Sequence, residues 1–128
     1  MATIKSYTDL EQSKKLAEIL PLESADLKWF FWKEEIDAPK PPTFGYSKTA
    51  AESYKNTEAV YLPCWSLAAL LNIIQKTTPY KLEHYGDKKV QLVCVLGDKP
   101  WELVISDFNN EVDACVEMIL KLYEEDLL

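Results

Sequence analysis

The sequence predicts an α+β fold: an antiparallel sheet of about four strands packed against three helices, in the order α-β-α-β-β-β-α. Apolar residues recur at helical spacing in three places. Three strand patterns near the C-terminus are joined by Gly86-Asp87 and Gly97-Asp98, which predicts a C-terminal three-stranded meander. No strand–helix–strand unit of the kind that builds parallel sheets is visible, so the sheet is expected to be antiparallel. The chain has 128 residues, 48% of them apolar and 27% charged, which fits one globular domain over residues 1–128.

The first helix is expected from Asp9 to Leu20. Thr8 is a suitable N-cap with Glu11 three residues on, the pattern of a capping box. Leu10, Leu16, Ala17 and Leu20 keep helical spacing, and Pro21 marks the stop. Next, Leu27 to Lys33 reads as a strand, with Leu27, Trp29 and Phe31 on one face and Phe30 and Trp32 on the other. Bulk on both faces predicts a strand covered on both sides or lying at an interface.

Residues 36–56 contain Pro39, Pro41, Pro42 and Gly45 and predict a long excursion without regular structure. Glu58 to Leu62 reads as a short strand leading back. Pro63 is expected to open the second helix, from about Trp65 to Ile74. Leu67, Ala68, Leu70, Leu71 and Ile74 make that helix apolar over most of its circumference, so it is expected to be buried. Thr77, Thr78 and Pro79 end it.

Strands are then expected at Tyr80–Tyr85, Lys89–Leu96 and Trp101–Asp107. Asn110 caps the last helix, whose apolar stripe is Val112, Cys115, Val116, Ile119, Leu120 and Tyr123. Glu124, Glu125 and Asp126 crowd its negative end, which predicts a solvated, frayed tail.

The inventory excludes most enzyme classes. With Gly45, Gly86 and Gly97 as its only glycines, the chain has no phosphate-binding loop and no dinucleotide fingerprint. One histidine, His84, and no Cys-x-x-Cys pair leave no standard zinc set. Asp107, Asn109, Glu111 and Asp113 alternate like a calcium loop, but Val112 and Met118 occupy the positions of its glycine and last glutamate. Capping of the last helix accounts for these residues instead. No metal and no cofactor is therefore expected.

Cys64 at a helix start with His84 as its base is the one conceivable catalytic pair. No third group orients the histidine, and Cys64 sits among apolar neighbours, so no catalytic residue is assigned. The three cysteines, Cys64, Cys94 and Cys115, do not make a disulfide framework. The N-terminal residues lack the apolar stretch of a signal peptide and no run is long enough to span a membrane, so the expected location is cytoplasmic.

All fourteen basic residues are lysines, and the net charge is −7. An acidic chain without arginine argues against nucleic-acid binding. The charge is uneven: residues 1–64 carry ten acids and eight lysines, residues 65–128 eleven acids and six lysines. Tryptophans and tyrosines are plentiful for this length. Trp32, Tyr46, Tyr54, Tyr61 and Trp65 are the candidate surface for a protein partner or for self-association, since aromatics favour interfaces. The alternative is a small ligand-binding domain or enzyme with a pocket near Trp32, Tyr61 and Trp65, using polar groups such as Glu34, Glu58 and Ser66.

Three segments carry a resemblance: Lys15–Asp26 (KLAEILPLESAD), Pro63–Asn72 (PCWSLAALLN) and Asp113–Tyr123 (DACVEMILKLY). Together they resemble a family of small uncharacterised proteins from gut bacteria, their phages and mobile elements. The resemblance covers about a quarter of the chain and leaves out Glu34–Asn56. It implies an accessory role of phage-related origin and brings no activity and no catalytic residues.

Overall fold

The computed structural model describes residues 5–32, 42–44, 59–86, 89–95 and 102–128. Internal contacts divide the chain into two compact units: Tyr7–Ala69, and Met1–Ser6 with Leu70–Leu128. Among the described residues no helix is long and apolar enough to cross a membrane.

In the unit Tyr7–Ala69, helix α1 runs over Leu10–Ile19. Asp9 caps it: its carboxylate accepts the Gln12 N–H at 2.8 Å, and Gln12 Oε1 accepts the Asp9 N–H at 3.1 Å. A single 3-10 turn, Leu22–Ser24, leads to strand β1, Leu27–Trp32. Strands β2 (Thr43–Phe44) and β3 (Ala59–Cys64) flank it, and both pair with it antiparallel. One face of this sheet carries Leu27, Trp29 and Cys64, all buried, with Tyr7, Leu10 and Leu62 packed on them. Tyr7 meets Trp29 edge-on, centroids 5.7 Å apart. Trp65 follows β3 and is wholly buried. Its indole N–H donates to Ser24 Oγ at 2.9 Å, which satisfies the one polar group of a large apolar side chain.

Helix α2, Leu67–Thr77, begins in this unit and ends in the other. Ser66 caps its start, accepting the Ala69 N–H at 3.2 Å. Asp26 braces the cap: it accepts the Ser66 N–H at 2.9 Å on one oxygen and the Ser66 hydroxyl on the other.

In the second unit, strands β4 (Tyr80–Tyr85), β5 (Lys89–Val95) and β6 (Glu102–Phe108) form an antiparallel sheet in that order. Gly86 turns between β4 and β5 with φ +56°, which glycine reaches at no steric cost. Burial alternates along β5: Val90, Leu92 and Cys94 are enclosed, while Gln91 and Val93 are half-buried. Helix α3, Glu111–Glu124, packs on β5 and β6. Val112, Ala114, Cys115, Val116, Met118, Ile119 and Leu122 of this helix are all buried.

Four sequence expectations change. The strands do not make one sheet of about four containing a C-terminal meander, and the order α-β-α-β-β-β-α is replaced. Among the described residues two separate antiparallel sheets form, one before α2 and one after it. Pairing partners are set by tertiary contacts that no strand pattern encodes, and β2 is a two-residue strand directly after Pro41 and Pro42, inside the stretch expected to lack regular structure. Thr8 does not cap α1, because its hydroxyl is drawn into the core and Asp9 takes the cap. Pro63 lies inside β3, and α2 starts four residues later, at Leu67. The C-terminus of α3 is closed, not frayed. Asp126 adopts φ 55°, and the Asp126 and Leu127 N–H groups donate to the Tyr123 and Leu122 carbonyls at 3.1 and 2.9 Å. This is a Schellman motif with aspartate where glycine is usual. The Gly97-Asp98 turn and most of the excursion over 36–56 lie outside the described residues.

Candidate functional site

The site begins with Pro63. Proline has no N–H, so in the regular β1–β3 ladder the pair Lys28–Pro63 is a non-hydrogen-bonded one. The ladder alternates, so Phe30–Tyr61, two residues further, is also non-hydrogen-bonded, the kind of pair in which side chains lie closest. Their rings stand accordingly at 5.1 Å, tilted by 51°. Lys28 Nζ sits 5.5 Å from the Tyr61 ring centre. A cation over a ring face contributes about 0.5–1 kcal/mol when solvent is near. Lys28, Phe30 and Tyr61 are each half-buried, and they lie on the face of β1 and β3 opposite Leu27, Trp29 and Cys64.

Of the five aromatics expected to form a partner surface, Tyr61 is in this cluster. Trp32 ends β1, paired with Ala59, on a backbone position that shares the Lys28–Phe30 face. Tyr46 and Tyr54 lie outside the described residues. Trp65 has no exposed surface to offer a partner or a ligand. The sequence pattern alone does not assign Lys28 and Phe30 to the surface. Their signal was the bulk on both faces of the strand, which did not say which residues face each other.

The conceivable thiol nucleophile has a different task. Thr8, Ser13, Trp29, Cys64 and Trp65 form one hydrogen-bond chain in the core of their unit. The Trp29 indole N–H donates to Ser13 Oγ at 3.2 Å, and Ser13 and Thr8 hydroxyls share a bond of 2.8 Å. Thr8 Oγ1 also lies 3.5 Å from Cys64 Sγ and accepts the Trp65 N–H at 3.2 Å. One proton order satisfies every group: Trp29 to Ser13, Ser13 to Thr8, Thr8 to Cys64, and the thiol to the Thr8 carbonyl at 3.5 Å. Burial pushes the Cys64 thiol above its ordinary pKa, against the lowering by its hydroxyl partners. It is held as a thiol, with its proton engaged.

In the second unit, burial likewise pushes Cys94 up to about 11. Cys115 rises to about 12, chiefly through burial and further through the nearby Glu111 carboxylate. His84, on β4, donates from Nε2 to Glu111 Oε1 at 2.6 Å. That bond holds the Glu111 carboxyl below its ordinary value, aided by the N–H groups at the start of α3. Beside it, Asn110 Oδ1 accepts the Asp113 N–H at 2.8 Å as the helix cap, and Lys5 Nζ donates to Asp113 Oδ1 at 2.8 Å. Glu111 and Asp113 thus serve a helix start. Among the described residues no cluster of imidazole, thiol and carboxylate groups is placed to hold a metal ion.

Compared with models of protein families, with curated proteins and with solved structures, the chain matches none.

Proposed function

We propose that this protein is a small non-catalytic interaction protein that engages a protein partner, or a second copy of itself, through the Lys28–Phe30–Tyr61 face. The observation that carries the reading is the half-buried aromatic pair capped by a lysine, on the sheet face turned away from the packed one. Tyrosine and phenylalanine supply contact area at low entropic cost, which is why such groups dominate binding energies. The chemistry of the thiols is consistent with it: all three are buried with raised pKa values, so none is poised as a nucleophile. The resemblance to phage and mobile-element proteins supports an accessory role in the cytoplasm.

The test is analytical ultracentrifugation of the purified protein together with capture of cellular proteins on the immobilised chain. The expected result is a dimer or a specifically retained protein. Tyr61→Ala should weaken either association about tenfold or more while circular dichroism shows an unchanged fold. A monomer that retains nothing overturns the reading, and so does an association indifferent to Tyr61→Ala and Lys28→Ala.

A further inference from the structure

We draw no further inference here: the strongest candidate, the half-buried Lys28–Phe30–Tyr61 patch on the face of the first sheet opposite Leu27 and Trp29, belongs to the site already described, and nothing in the structure shows what covers it.

Discussion

In the unit Tyr7–Ala69 a helix is tied to its sheet through hydroxyl groups, whereas α3 lies on its own sheet almost wholly through hydrocarbon. Thr8 and Ser13 are both fully enclosed, and between them they link β1, the Trp65 backbone and the Cys64 thiol. On α3 the enclosed positions are alanine, valine, isoleucine, leucine, methionine and cysteine, and the polar contacts cluster at its first turn. The difference teaches where each region is fragile. A hydrogen-bonded core depends on each partner being present, since an orphaned buried donor costs about 1–3 kcal/mol. A hydrocarbon core depends on volume and tolerates exchanges that conserve it.

The largest expected effect is in the hydrocarbon region. Leu122→Ala, at a fully enclosed position, should cost about 3 kcal/mol through lost burial and the cavity left behind. Leu122→Met should cost under about 1.5 kcal/mol. Urea midpoints at constant m measure both. If the methionine variant is as damaging as the alanine one, volume is not what this region depends on.

The hydroxyl region should behave in the opposite way. Thr8→Val keeps the volume but strands the Trp65 N–H and removes a partner of Ser13, for a loss of about 2 kcal/mol. Thiol labelling at mildly alkaline pH should then modify Cys64 faster than in the wild type, because a less stable core opens more often and exposes the thiol that Thr8 had bonded. A Thr8→Val protein as stable as the wild type would erase the contrast between the two units.

Much of this division escaped the sequence for reasons tied to particular residues. Helical spacing located the three helices of the described residues, because period-3.6 patterns are local. Thr8 and Asp9 are both good caps, and only the core's demand for the Thr8 hydroxyl decides between them. Pro63 suits a helix start and an edge strand equally, and its neighbours in sequence do not choose. The stripe expected on α3 included Tyr123, which is 51% exposed, and omitted Met118 and Leu122, which are enclosed. The aromatic surface is legible only in part: composition points to Tyr61, but its partners Phe30 and Lys28 follow from register, which sequence alone does not fix.

Two smaller effects sharpen the picture of how α3 ends and begins. Asp126 holds a left-handed backbone and places a third acid at the negative end of the helix. Asp126→Gly removes both penalties and should stabilise by about 1 kcal/mol, seen as a higher urea midpoint. No gain would mean that the closing turn carries no strain. At the other end, the Glu111 carboxyl is held below its ordinary value by the His84 N–H. A depressed folded-state pKa contributes stability above the unfolded value, which is lost as pH falls through the folded one. The pair is 61% and 29% exposed at its side chains, so the increment should stay under about 1 kcal/mol, as for other surface pairs. Glu111→Gln should remove that increment from the pH dependence below the ordinary carboxylate range. An unchanged acid profile would show that the contact contributes nothing measurable.

Strand β3 lies at one side of its three-stranded sheet, and the same Pro63 that sets the spacing of Phe30 and Tyr61 affects what can attach there. Because the pair Lys28–Pro63 is a non-hydrogen-bonded one, the backbone of Pro63 turns away from β1. At position 63 the outward position has an acceptor and no donor. A strand laid along that side would find one donor fewer at Pro63 than at any other residue, as expected of proline in a strand that is not central. A residue that suits the geometry of a pair within the sheet thereby also takes a donor from that side.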